Sequence, residues 1–404
     1  MKALVFLSAF SYINEFLIEY ADYYKVLITD KKSKPNKVEL EQYYDEVFII
    51  DDIQCKEDVE KFLAKVLETR EIKALYTTYE PVIEVAGYLR EKFNIPGMNY
   101  SEALRVRNKD IMKQTAVENG IATAQFSLVK SLKELYAFIK EAGYPIVIKP
   151  VSGFATSYTF KISSFGSFFN VNVIKMLCRH KEFLAEKFID GHEYHCNSII
   201  VNGKIVFSSV GKNLYNNMET VLDSKPKGSI AFPAYCDNDQ PIRDIKNFNE
   251  RLVSCYQIKE GISHAEVFVD SRGVVYLGEI AARIGGAPIG DCIKNTSGVD
   301  INKAYIDAPI DNFKTESINE RPIFTGYLSF PSKAGELITI SDENDFSHLD
   351  GIKEIKFFNK PGDRLMRQKN TAVRTGYIII EDESYDRLKE KLLDAFQSFR
   401  LSVK

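Results

Sequence analysis

Along the first hundred residues, short apolar runs alternate with stretches whose apolar positions recur at helical spacing. The runs at 3–7, 25–29, 46–50 and 74–77 have the length of buried strands, and 14–23, 58–69 and 82–93 read as the helices between them. That rhythm predicts a parallel α/β layer, closed by the turn residues Asn94-Ile95-Pro96-Gly97. A helical connector follows over 101–119, with Ser101 as its cap and Gly120 at its end. A strand at 126–129, a Ser131-capped helix through Ala142 and a strand over 144–150 that stops at Pro150 make a small α+β unit. The region 183–277 is strand-rich and contains a hairpin, 198–208, turning at Asn202-Gly203. After Arg321-Pro322, strands are expected at 324–330, 337–340, 352–358 and 375–380, then an amphipathic helix over 384–400 capped by Ser384.

A second hairpin carries chemistry. Val267-Phe268-Val269 reads as a strand, Asp270-Ser271-Arg272-Gly273 as a turn and 274–277 as the return, which brings Glu266 near Glu279. Two hard oxygen ligands side by side suit magnesium, which is held by one or two carboxylates plus substrate phosphates. Arg283, four residues on, is placed to grip a phosphoryl group or a substrate carboxylate. The same residues also fit an ordinary surface ion pair, and only their context decides between the two.

Composition narrows the class. The chain has 404 residues, 45% apolar and 27% charged, with a formal net charge of -3. That is enough for two to four lobes, and the charge argues against a dedicated nucleic-acid binder. No G-x-G-x-x-G follows the first strand, so a dinucleotide fingerprint is not supported. The apolar N-terminus is short and reaches Asn14-Glu15 without a cleavage site, and no uncharged stretch has the length of a membrane span. A soluble, cytoplasmic protein is therefore expected. The cysteines (Cys55, Cys178, Cys196, Cys236, Cys255, Cys292) show no C-x-x-C spacing and read as reduced and structural.

Lys109, Lys149 and the loop Ser152-Gly153-Phe154-Ala155-Thr156-Ser157 together offer the ammonium groups, hydroxyls and backbone N–H groups that a triphosphate needs. Each lysine alone would be an ordinary solvated one. The run Glu186-Lys187-Phe188-Ile189-Asp190-Gly191-His192-Glu193 adds a strand exposing backbone groups to an adenine edge and a carboxylate for ribose hydroxyls.

In this order the residues resemble the ATP-grasp superfamily over about 108–309, and within its carboxylate-amine ligases the chain is most similar to the L-amino-acid ligases. The resemblance implies a multidomain α/β and α+β fold: an N-terminal α/β domain (1–107), two ATP-grasp subdomains (108–187 and 188–312) and a C-terminal α+β domain (313–404). Lys360-Pro361-Gly362-Asp363 and Arg374-Thr375-Gly376-Tyr377 resemble that last domain. By resemblance, Lys109 and Lys149 bind phosphates, and Ser152, Gly153, Thr156 and Ser157 belong to the phosphate-covering loop. Glu186, Lys187 and Ile189 form the adenine hinge, Glu193 binds ribose, Glu266 and Glu279 bind Mg²⁺ (with Mn²⁺ as a substitute), and Arg283 grips the transferring group. Two departures from the pattern stand out. The loop has one glycine where relatives carry several, and Ala281 replaces an asparagine ligand, so magnesium is expected on two acids alone.

The reaction implied is phosphoryl transfer from ATP to a carboxylate, then attack by an amine to give an amide, ADP and phosphate, with Lys149 and Arg283 as the catalytic groups. His264, Lys212 and the small residues Gly285, Gly286 and Ala287 are candidate substrate contacts; His180, His192, His195 and His348 read as structural. The partners are then a small carboxylate and a small amine, with neither nucleic acid nor membrane, and a homodimer is the commonest assembly. Two alternatives remain open at this point: a ligase or carboxylase of a non-amino-acid substrate, and a nucleotide-binding regulator without catalysis.

Overall fold

The computed structural model describes residues 1–8, 13–33, 35–153, 156–168, 182–286, 288–314, 321–368 and 370–404. The N-terminal strands β1 (Ala3–Leu7), β2 (Tyr24–Asp30), β3 (Glu46–Ile50) and β4 (Ile72–Tyr76) form a parallel sheet in the order β3-β2-β1-β4. The runs are predominantly apolar because both faces of the sheet are covered, and Lys25, Glu46 and Lys73 stand at half-buried positions. Ala3, Val5 and Leu7 pack with α1 (Lys56–Leu67) and α2 (Ile83–Phe93), while Leu4 and Phe6 face a second core. The end of β4 is fixed by tyrosines. Tyr76 Oη donates to Ile306 O at 2.8 Å, and Tyr305 Oη donates to Thr77 O at 2.7 Å.

The connector is not the single helix that periodicity suggests. It consists of α3 (Tyr100–Arg107) and α4 (Lys109–Glu118), broken at Asn108, whose extended backbone lets its side chain accept from the N–H groups of Asp110 and Ile111. The cap of α3 is Asn99, in a reciprocal box with Glu102, and Ser101 only donates to Asn99 Oδ1. This break sets Lys109 in the first turn of α4.

Strands β5 (Phe126–Val129), β6 (Ile146–Pro150), β7 (Phe160–Ile162) and β8 (Phe183–Lys187) form an antiparallel sheet in the order β5-β8-β6-β7. Against it lies α5 (Leu132–Ala142), which buries Leu135, Phe138 and Ile139 and is capped by Ser131 as expected.

A long antiparallel sheet carries the rest. Its strands are β9 (Gly191–Val201), β10 (Lys204–Asn213), β11 (Lys227–Ala231), β12 (Gly261–Asp270), β13 (Val275–Ala281), β14 (Phe324–Phe330), β16 (Ile352–Phe357) and β18 (Gly376–Asp382). Their order is β13-β12-β9-β10-β11-β14-β18-β16, so the sheet runs unbroken across residue 313. Asn202 and Gly203 both have positive φ (52° and 72°), the left-handed pair that a two-residue hairpin turn requires. One face of β9, β12 and β13 packs Tyr194, Cys196, Val267 and Leu277 against a core that includes α6 (Ile242–Cys255); the other face carries the polar residues of the site.

Beyond β14 and β18, β15 (Gly335–Ile340) lies between β17 (Arg364–Leu365) and β19 (Leu401–Val403). The final helix, Tyr385–Ser398, is capped by Ser384 as expected and buries Leu388, Leu392 and Ala395. Phe330 stacks on Phe399, Phe346 and Phe357 with ring centroids at 4.6, 5.3 and 5.4 Å. Phe330→Ala should lower unfolding stability by roughly 3–5 kcal/mol, as for other buried aromatic truncations. Denaturant titration checks this, and a loss well below about 1 kcal/mol would show that the stack does not hold the C-terminal lobe together.

Candidate active site

Lys149 reaches from the end of β6 to the Glu186 carboxylate on the neighbouring β8. Lys113, on α4, meets the same carboxylate at 2.9 Å and also donates to Thr123 Oγ1 (2.7 Å) and Leu277 O (2.6 Å). Burial lowers Lys113, reinforced by the charge of Lys149, to about 8. Burial alone would raise Glu186, but the two ammonium groups hold it down at about 2. Lys149 is also opposed by burial, and Glu186 and Glu279 keep it above its ordinary value. The predicted hinge acid is therefore a buried counter-ion shared by two lysines.

A second group joins the lobes. Lys109 donates to Glu279 Oε1 and to Gly153 O, both at 2.8 Å. Arg107 donates to Ser152 O (2.5 Å) and Gly153 O (3.2 Å), so the loop after β6 is gripped through its carbonyls. Arg283 binds Glu80 Oε2 through Nε (2.9 Å) and Nη2 (2.5 Å), and Arg107 stands 3.6 Å from the same carboxylate. Burial would raise Glu80; Arg283, Lys109 and Arg107 keep it below its ordinary value. Glu80, Arg107 and Lys113 are absent from the sequence-predicted set. Glu80 had one available signal, since it follows the carboxyl end of a parallel strand, where α/β sheets place their ligands.

The acidic hairpin forms as expected, with Glu266 directly opposite Glu279. Behind it runs a buried chain: His264 Nε2 is 3.6 Å from Glu266 Oε1, His264 Nδ1 is 2.8 Å from Asn197 Oδ1, Asn197 Nδ2 is 3.0 Å from His195 Nδ1, and His195 Nε2 is 3.0 Å from Ser229 Oγ. Burial lowers His195 to about 3, which keeps it neutral. For Glu266 burial acts upward, but His264, Lys227 and Arg283 hold it at about 2. Glu193 is pushed up to about 7 by burial and by Glu266, and it accepts from both the N–H and Nδ2 of Asn217 at 2.5 Å. Ala281 is buried opposite His264 and adds no oxygen. Among the described residues no group of three or more His, Cys, Asp or Glu side chains is arranged to hold a metal, so Glu266 and Glu279 stand as a two-carboxylate set.

The other predicted residues divide. Lys187 turns its ammonium to Tyr144 O (2.8 Å) and Gly143 O (3.3 Å), and its N–H is taken by Gln125 O. The Ile189 N–H makes no hydrogen bond among the described residues, which leaves it open at the hinge. Thr156 takes a left-handed φ of 60°, and Ser157 Oγ accepts from Asn370 Nδ2 at 3.3 Å. Phe154, Ala155, Cys178, His180 and Ala287 lie outside the described residues. A Cβ on Gly285 would stand 2.9 Å from Asn197 Oδ1 and His264 Nδ1, so this glycine permits close packing, whereas Gly286 faces open space. Lys212 is not brought to the site. It registers with Tyr194 on the opposite face, with its ammonium over that ring at 5.4 Å. Lys109, Lys149, Glu193, Glu266, Glu279 and Arg283 line one cavity of about 1700 Å³ that extends to Phe358, Arg374 and Tyr377, while Ser152 is not among its lining residues. Its cations suit a polyanion, and its paired acids suit a divalent cation.

Glu186→Gln should destabilise the protein by on the order of 3–5 kcal/mol by leaving two buried lysines uncompensated. The wild-type carboxylate, at about 2 when folded against an ordinary 4.5, contributes stability that is complete above about pH 4.5 and is lost as pH falls towards 2. Thermal melts across that window should slope less in the variant; an unchanged slope would remove Glu186 as the acid-sensitive group.

Comparison with known proteins bears on the domains that carry this cavity. Residues 142–291 match the model of the ATP-grasp domain, and residues 328–404 match that of the L-amino acid ligase C-terminal domain 2. The chain is similar to the L-arginine-specific L-amino acid ligase of Bacillus subtilis, at 24% identity over 84% of this chain and 83% of that protein. It is also similar to dapdiamide A synthase of Enterobacter agglomerans, at 22% identity over 83% and 81%. The fold superposes on the crystal structure of the L-amino acid ligase from Bacillus licheniformis with a TM-score of 0.81 at 19% identity, covering 100% of this chain and 99% of that one. Residues 142–291 thus carry an ATP-grasp domain, and residues 328–404 carry the C-terminal domain of the L-amino acid ligases.

Proposed function

We propose that the protein is an ATP-dependent, ADP-forming C–N ligase that joins the carboxyl group of one amino acid to the amine of a second substrate, giving a dipeptide or related amide. The observation that carries this reading is the convergence, in one cavity, of the register-paired Glu266 and Glu279 with Lys109, Lys149 and Arg283. Similarity to L-amino acid ligases supports it.

In the first step a substrate carboxylate oxygen attacks the γ-phosphorus of ATP, and the bond to ADP breaks. In the second, the amine nitrogen attacks the acyl carbon, phosphate leaves with the C–O bond electrons, and the nitrogen releases its proton. Such chemistry asks for positioning and charge neutralisation rather than a protein nucleophile. Lys109 and Lys149 bind the phosphates, and the open Ile189 N–H reads the adenine edge. Arg283 stabilises the charge on the transferring group and on the tetrahedral oxyanion. Glu266 and Glu279 fit magnesium, or manganese in its place, which neutralises phosphate charge when bound. Lys109 and Glu279 satisfy each other at 2.8 Å; with substrates bound, Lys109 would pair with phosphate, and Glu279 with Glu266 would hold the cation that neutralises it. Dependence on ATP supports a cytoplasmic location, and a homodimer is the assembly expected.

Incubation with ATP, Mg²⁺ and pairs of amino acids should release phosphate together with a condensation product detected by mass. No phosphate above background with any pair would end the ligase reading. Glu279→Gln should abolish turnover, and Arg283→Ala should lower kcat by roughly 10²–10³-fold, the cost of losing an oxyanion donor. A near-normal kcat in Arg283→Ala would reduce Arg283 to a tie between lobes through Glu80.

A further inference from the structure

The cavity continues beyond Arg283 to a wall contributed by the C-terminal strands, and that wall holds an unmatched cation. Arg374, just before β18, packs its guanidinium over the Phe358 ring at 5.5 Å. It forms no salt bridge among the described residues, whereas Arg283 and Arg107 both have Glu80. Burial lowers its pKa, and the groups acting in the other direction are the phenols Tyr327 and Tyr377 rather than a carboxylate. The nearby acid Glu354 is already engaged, accepting from Tyr377 Oη at 3.0 Å.

A second observation points to the same place. Tyr327 is fully buried and lines the cavity, yet its hydroxyl has no hydrogen-bond partner among the described residues. A guanidinium without an anion and a buried hydroxyl without an acceptor are both costly left empty, and one carboxylate would satisfy both. Residues leading to Arg374 are tied by Asn370. Asn370 Oδ1 accepts from the N–H groups of Ala372 (3.0 Å) and Val373 (3.2 Å), while its Nδ2 reaches Ser157 on the phosphate-side loop.

We propose that Arg374, with the Tyr327 hydroxyl, binds a substrate carboxylate that is not activated. This rests on the ligase reading above. A ligase acting on amino acids faces more than one carboxylate and must phosphorylate only one, so a cation remote from Lys109 and Lys149 removes the others from the reaction. The spectator carboxylate has two sources, the α-carboxylate of the amine-donating amino acid or an acidic side chain, and both present the same chemistry to a guanidinium.

The test uses the full-length protein with Mg²⁺. For each pair that turns over, KM is measured for Arg374→Ala, Arg374→Lys and Tyr327→Phe, with each amine-donating amino acid also offered as its α-amide, and with glutamate compared with glutamine. Arg374→Ala should raise KM for the carboxylate-bearing substrate roughly 10–100-fold with kcat within about threefold, the loss of a charge-assisted bond, and Arg374→Lys should recover part of it. The α-amide should be used equally by wild type and Arg374→Ala if the α-carboxylate is the ligand. A loss confined to glutamate over glutamine assigns the side chain. Unchanged KM for every substrate would overturn the proposal while leaving the ligase reading intact. If no pair turns over, the ligase reading fails by itself. Calorimetric binding of L-alanine and L-glutamate in the presence of a non-hydrolysable ATP analogue then decides, and equal affinities, or no binding, in wild type and Arg374→Ala overturn the site.

Discussion

A cavity that is to receive a polyanion must hold its cations out of bulk water before the anion arrives, and this structure meets the constraint with interleaved carboxylates. Glu186 serves Lys113 and Lys149, Glu279 serves Lys109, and Glu80 serves Arg283 and Arg107. Such buried pairs add little net stability relative to apolar packing, but removing one partner is expensive. Their value is positional. Each pair joins elements distant in sequence, so the N-terminal sheet, the connector helices and the acidic hairpin are held to one geometry.

The long sheet gives this arrangement its frame. Its register sets Glu266 against Glu279, and its continuation through β14, β18 and β16 brings Tyr327, Glu354 and Arg374 to the far wall of the same cavity. The C-terminal strands are therefore part of the site's construction.

Much of this was legible in the sequence, and the parts that were not have identifiable causes. The acidic hairpin could be read because period-two alternation and a turn fix which side chains meet. The N-terminal strands were plain because burial on both faces makes them predominantly apolar. The connector's break was hidden, since Asn108 caps α4 from inside a helical pattern and only its backbone conformation reveals it. Glu80 was missed because its partner Arg283 is 203 residues away, a pairing that no local pattern carries. Lys212 was a candidate only by its place after the 207–210 strand, and nothing in that placement set which face it occupies. A bulge between Ile205 and Phe207 sets it opposite Tyr194, whereas uninterrupted alternation from the Asn202-Gly203 turn would have put it opposite Glu193, on the site face.

What distinguishes a carboxylate-activating ligase from any other protein with a nucleotide cavity is the bond between substrate oxygen and phosphorus. A substrate labelled with ¹⁸O in its carboxyl group reports that bond directly. Each turnover should deliver an ¹⁸O atom from the carboxylate into inorganic phosphate, seen by mass or by the ³¹P isotope shift. Phosphate released without the label, while the amide forms, would contradict activation through an acyl phosphate and the roles assigned to Arg283, Lys149 and the paired acids.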